Sequence, residues 1–228
     1  MSSELSKFVD VIDCGVGNIR SVEWALSSVG ATVRVHQNAE TLPISGHLVL
    51  PGVGAFRSVR QSLEKGGFIE AIKLHVDSGD PFLGICVGMQ LLFDKSCEFG
   101  ETKGFGFIEG SVKPMPRSCG RVATKGIDQF SLSGVHKLPY VNWSSLLPSS
   151  SARWEQSILN GLKLETEVYF THSMEAKCAR ESDITSYAAH DGYLVCAAVN
   201  KNNIHGTQFH PEKSGSCGLK ILYNFLGQ

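Results

Sequence analysis

The sequence predicts an α/β protein: a central, mostly parallel sheet flanked by helices, with additional mixed β structure in the C-terminal half. Three observations carry this. Short apolar runs in the first half end in glycine turns and pass into helical periodicity. One of these junctions is a sharp strand-to-helix turn centred on Cys86. The second half changes to closely spaced strand-like runs separated by turn residues, the pattern of partly antiparallel sheet.

In chain order, Phe8–Asp13 reads as the first strand. It runs through the turn Cys14-Gly15-Val16-Gly17-Asn18 into a helix over Ile19–Val29. Arg20 stands where a dinucleotide-binding turn needs its third glycine, so GVGNIR is not such a phosphate loop. Val33-Arg34-Val35 is the second strand and His47–Leu50 the third, broken by Pro51-Gly52-Val53-Gly54; helical patterns follow between Ala55 and Val76. That glycine turn falls at the carboxyl end of its strand, where open α/β sheets place ligands and where bare amides can meet an oxyanion. It also reads as a plain tight connection.

The segment from Pro81 to Leu92, PFLGICVGMQLL, holds the main chemical signal. Strand character stops at Gly84 and a helical pattern begins after Gly88, so Cys86 sits at an elbow of the form Gly-x-Cys-x-Gly, the cysteine counterpart of the serine nucleophile elbow. At such a turn the side chain points off the sheet's carboxyl edge, and the start of the next helix favours a thiolate. The alternative is a buried cysteine packed as a small hydrophobe.

Beyond the elbow, Cys97-Glu98-Phe99-Gly100 closes a segment and Phe105–Lys113 reads as a strand. Residues 117–134 read as a surface excursion. Strands are expected over Lys137–Val141, Glu167–Thr171, Thr185–Ala189 and Tyr193–Val199, and a last helix over Ser216–Leu226. Within Gly206–Ser214, His210 and Glu212 lie two apart and share one side of an extended segment. A cysteine nucleophile needs a base and a group that fixes the base's tautomer, and this pair offers both. A solvated His/Glu pair at a strand end is the alternative.

Length and composition narrow the remaining classes. At 228 residues and 42% hydrophobic content the chain fits a single domain over 1–228. No apolar run reaches the ~18 residues of a membrane span, and MSSELSK lacks the apolar stretch of a signal peptide, so a cytoplasmic location is expected. Seven cysteines without regular spacing read as reduced thiols. There is no CxxC pair, and His205 and His210 have no clear third ligand, so no metal is expected. A net charge of -1 gives no electrostatic reason for a nucleic acid or anionic membrane partner.

Taken together, the elbow, the glycine turn and His-Pro-Glu resemble the class I glutamine amidotransferases, and the likeness extends over nearly the whole chain through GVGNIRSV, LPGVGAF, GICVGMQLLF, GFGFIEG, YFTHSM and QFHPEKSG. The resemblance implies a flavodoxin-like, class I amidotransferase fold and a glutaminase that needs no cofactor. It implies that Cys86 attacks L-glutamine to form a glutamyl thioester, that His210 serves as base and then acid, and that Glu212 orients it. It assigns oxyanion stabilisation to the backbone of Val53 and Val87, with the Gly52-Val53 peptide turning toward the site. Substrate binding falls to Gly52, Gln90 and Glu98, helped by the backbone of His172 and Ser173.

Within the family the closest likeness is to subunits that pair with a (β/α)8-barrel cyclase as a heterodimer. There ammonia is channelled to form imidazole glycerol phosphate and AICAR in histidine biosynthesis. Asn18, Trp143, Tyr169 and Lys213 match segments that face the partner or gate the glutaminase. Two departures stand out: Tyr140-Val141-Asn142-Trp143-Ser144 replaces the usual His-x-Gly-Trp-Asn, and Met174 replaces a larger polar aromatic. Both map toward the partner side and bear on which partner is used. The open alternatives are a paralogue that supplies ammonia for amidino sugars of surface polysaccharides, a cysteine peptidase-like hydrolase, and a silent binding subunit.

Overall fold

The computed structural model describes residues 7–43, 45–119, 134–135, 137–150, 154–190 and 193–228, with side chains omitted at 118–119 and 134–135. The strands are β1 (Phe8–Ile12), β2 (Thr32–His36), β3 (His47–Gly52), β4 (Phe82–Cys86), β5 (Phe93–Ser96), β6 (Thr102–Lys103), β7 (Ile108–Pro114), β8 (Ser118–Cys119), β9 (Gly134–Val135), β10 (Tyr140–Pro148), β11 (Glu167–His172), β12 (Met174–Cys178), β13 (Ile184–His190), β14 (Tyr193–Lys201) and β15 (Ile204–Thr207). The helices are α1 (Ile19–Ser28), α2 (Phe56–Lys65), α3 (Phe68–Asp77), α4 (Val87–Gln90) and α5 (Gly215–Leu226).

Nine strands form one sheet in the order β11-β10-β13-β14-β15-β4-β3-β1-β2. From β15 to β2 neighbours run parallel, and from β15 outward to β11 they run antiparallel. The division follows the sequence. β3 and β4 are buried at every residue, as strands covered on both faces must be. β10 instead mixes buried and exposed positions, the mark of a strand with a wet face. A smaller sheet, β12-β7-β5-β6, stands beside the elbow, and β8 and β9 pair with each other. No helix among the described residues is long and apolar enough to cross a membrane.

Several boundaries differ from expectation. β4 runs through Cys86, and the helix after it has four residues. It stops because the Leu91 and Leu92 carbonyls accept from the Phe105 and Ile108 amides, and the chain turns outward into β5. Phe105 and Phe107 stack on each other at 5.1 Å, so β7 begins only at Ile108. β10 begins at Tyr140, not Lys137, and continues to Pro148. The predicted excursion falls largely on 120–133, outside the described residues. The six cysteines with described side chains are all free.

Candidate active site

The elbow is a tight backbone construction. Cys86 adopts φ 55° and ψ -107°, a conformation that costs a non-glycine residue about 1–3 kcal/mol and persists only where the surroundings enforce it. Here they do so by close approach. A Cβ on Gly88 would fall 1.8 Å from the Leu50 carbonyl oxygen of β3, and one on Gly84 would fall 2.6 Å from Gly88. Both positions admit only glycine, which is how Val87 turns back against its own strand. Gly52 lies opposite Cys86 in the β3–β4 register, bringing the Pro51–Gly54 turn alongside the elbow.

His210 and Glu212 reach the same rim from β15, which pairs with β4 up to Thr207 opposite Ile85. A short turn over Pro211–Lys213 follows at once. The backbone of His210 is fastened to β11 twice: its amide donates to the Tyr169 carbonyl at 3.0 Å, while Ser214 Oγ accepts from Tyr169 N at 3.0 Å and donates to the His210 carbonyl at 2.7 Å. His210 Nδ1 is 2.7 Å from Glu212 Oε1, and both side chains are buried.

Burial alone would lower the imidazole's pKa. Its hydrogen-bonding and charge interactions with Cys86 and Glu212 together outweigh that and raise it to about 10. His210 Nε2 has no well-aligned hydrogen bond, yet it lies within interaction range of the Cys86 thiol. The three groups therefore converge, with the imidazole between the Cys86 sulfur and the Glu212 carboxyl group.

A cleft of about 300 Å³ opens beside Cys86, lined by residues from five parts of the chain that include Val53, Val87, Gln90, Glu98, Pro139, His172 and Ser173. Glu98 also accepts from the Phe56 amide at 2.8 Å through Oε2, capping α2, which has no cap of its own. His172 donates from Nδ1 to the Met174 carbonyl oxygen at 2.7 Å and meets His190 Nε2 through its own Nε2 at 2.9 Å, and burial first of all lowers its pKa to about 4, so it is neutral. Gly52 lies on the other side of the triad, in a small cavity shared with Asn18, His210 and Glu212. Asn18 caps α1 by accepting from Ser21 N. Trp143, 45% exposed, meets Tyr169 edge to face at 5.9 Å, and Lys213 Nζ sits over the Tyr169 ring at 5.8 Å, forming one surface patch near the triad.

The two sequence departures fall in different surroundings. Met174 is buried in the cleft wall. Tyr140 is buried as well, stacked on His190 at 3.8 Å and joined to Ser144 Oγ at 3.0 Å. Of that stretch, Val141, Asn142 and Trp143 reach the surface. The elbow helix also gives less than expected: one turn carries little macrodipole, so the sulfur's environment rests on side chains. One such side chain, Gln208, went unread although it stands in QFHPEKSG; its Nε2 is 3.6 Å from Cys86 Sγ. Its one signal was a polar residue inside an otherwise buried strand end. Among the described residues, no group of three His, Cys, Asp or Glu side chains is placed to hold a metal ion.

Residues 10–228 match the family of class I glutamine amidotransferases. The chain belongs to that family. Its curated relatives include the imidazole glycerol phosphate synthase subunit HisH 1 of Legionella pneumophila strain Lens, 39% identical over 96% of this chain and 98% of that one. The HisH subunit of Caldanaerobacter subterraneus subsp. tengcongensis is 40% identical over 95% and 96%. Among solved structures, a glutamine amidotransferase superposes with TM-score 0.66 at 17% identity over 96% of this chain and 99% of that one. At that identity the match speaks for the amidotransferase fold alone. The chain is thus a glutamine amidotransferase enzyme.

Proposed function

We propose that this amidotransferase is the glutaminase subunit of imidazole glycerol phosphate synthase. It would hydrolyse L-glutamine to L-glutamate and ammonia and deliver the ammonia to a cyclase subunit, a (β/α)8 barrel in a heterodimer, for imidazole glycerol phosphate formation in histidine biosynthesis. A cytoplasmic location accords with that pathway. The observation that carries the reading is the convergence of Cys86, His210 and Glu212 at the rim of a cleft large enough for an amino acid.

The chemistry follows from the arrangement. His210 takes the thiol proton, so the sulfur meets substrate as a thiolate. Sγ attacks the carboxamide carbon, and the oxygen that becomes negative is received by the amides of Val53 and Val87 once the Gly52-Val53 peptide presents its N–H. His210 gives its proton to the departing nitrogen, ammonia leaves, and a glutamyl thioester remains. Water then adds, its proton going to His210, and the thioester collapses to glutamate and thiolate. Glu212 keeps the imidazole's Nδ1–H fixed throughout.

Glu98 and Gln90 would hold the substrate's α-amino and α-carboxylate end, with backbone of His172 and Ser173 beside them. The patch of Trp143, Tyr169 and Lys213, with Asn18 on the triad's other side, would meet the cyclase. The test is glutamate release from glutamine with and without that cyclase. Cys86→Ala should abolish glutamine-dependent product formation while ammonium-dependent formation continues. No glutamate from a complex that works with ammonium salts overturns the reading, and an aminated product other than imidazole glycerol phosphate would move it to a different acceptor.

A further inference from the structure

Gln208 lies two residues before His210 and is fully buried. Its Nε2 is 3.6 Å from Cys86 Sγ, and its Oε1 is 3.0 Å from Gln90 Nε2, which in turn lies 3.4 Å from the Met174 carbonyl oxygen. The direction of this chain is fixed at its far end. A backbone carbonyl can only accept, so Gln90 must turn its NH2 group toward Met174. The second hydrogen of that group then meets Gln208, which answers with its oxygen. Gln208 is left with only its NH2 to direct at the sulfur.

A neutral thiol accepts such a donor weakly, whereas a thiolate accepts it strongly, so the donor favours the ionised sulfur and holds it in place. The thiol's own proton has a poor alternative, the Thr171 carbonyl at 4.0 Å. The titratable groups around the sulfur are His210 and Glu212 from the turn after β15, His172 from β11 and Glu98 from the loop after β5. Each of them is fixed by its own partner, and Gln208 supplies the neutral donor among them.

We propose that Gln208 is a positioning residue that holds the Cys86 thiolate through an N–H···S bond, its polarity set by the relay Met174 carbonyl, Gln90, Gln208. The proposal rests on Cys86 being the nucleophile. It also ties two functions together, because both Gln90 amide hydrogens are committed and only its oxygen remains for substrate.

The experiment compares wild type with Gln208→Met, each in complex with the cyclase, and follows alkylation of Cys86 by iodoacetamide against pH alongside glutamine kcat and KM. Loss of the donor should move the inflection of the alkylation profile upward by about one pH unit, a tenfold weaker bias toward thiolate. It should also lower kcat about tenfold with a smaller change in KM. A folded Gln208→Met protein with the wild-type profile overturns the proposal. Should that variant not fold, the side-chain amide resonances of Gln208 in the wild-type protein decide. They should shift with the same midpoint as alkylation and lose that shift in Cys86→Ser; resonances that stay still through the alkylation range overturn the proposal. A wild-type complex that fails to cleave glutamine would sink the glutaminase reading while leaving both of these readouts intact.

Discussion

His205 and His210 stand five residues apart on one stretch of chain, and each is 2% exposed. Their protons behave in opposite ways. Burial drives His205 down to about 4, helped by His47; its ring has Asn200 and the edge of Phe225 for company, with no carboxylate to hold a charge. His210, at the carboxyl edge of the sheet, is lifted to about 10 because Glu212 and Cys86 outweigh the same desolvation. Equal burial therefore decides nothing alone. The partners set the charge, and for His210 they stand at the end of the sheet where loops gather.

The largest effect should come from making His210 resemble His205. Glu212→Gln removes the anion at Nδ1, leaving Cys86 alone to oppose desolvation. We expect kcat for glutamine hydrolysis to fall about 10³- to 10⁴-fold with little change in KM, by analogy with loss of the carboxylate in a hydrolase triad. Steady-state kinetics at pH 7 to 8 checks this.

Next comes the backbone that makes the edge possible. Gly88→Ala would drive a methyl into the Leu50 carbonyl, so β3 and the elbow must part. We expect a loss of about 3 kcal/mol or more in denaturant unfolding, within the range of strained or overpacked core sites.

The neutral side of the comparison is tested by acid. His172 and His205 are both held near 4 in the folded chain against an ordinary 6.5, so the unfolded chain binds their protons first. Stability from these groups is complete above pH 6.5 and is lost as pH falls from 6.5 toward 4, by up to about 3 kcal/mol for each. His205→Phe should flatten that part of the pH–stability curve, read by thermal unfolding. His210 contributes the reverse dependence, its share fading as pH rises from 6.5 toward 10. The smallest effect is expected of Ser214→Ala, which leaves Tyr169 N without its acceptor and loosens the His210 carbonyl, costing about 1–2 kcal/mol and a modest loss of kcat.

How legible was this in the sequence? Regions whose structure is dictated locally could be read directly: the unbroken apolar runs of β3 and β4 announce a doubly covered sheet, and Gly84, Cys86 and Gly88 announce the elbow between them. His210 and Glu212 were legible because their spacing and chemistry sit in three consecutive residues. What escaped depends on distant chain segments. α4 ends after one turn because the 105–108 segment claims the Leu91 and Leu92 carbonyls that follow it, which nothing in GMQLLF foretells. β5, β6, β12 and β15 are short strands made by their neighbours. The Tyr140–Ser144 stretch maps in sequence toward a partner side, and only the fold reveals Tyr140 stacked on His190. Gln208 is the sharpest case, since its meaning lies in a sulfur 122 positions away.

The central claim is that one sulfur, charged through His210, carries the glutamyl group. Acid-quenching the cyclase complex during turnover of glutamine and mapping the chain by mass spectrometry tests it directly. The account predicts one glutamyl group on the peptide bearing Cys86, absent in Cys86→Ala. Sustained glutamate release by Cys86→Ala, or an adduct on a different residue, would contradict it.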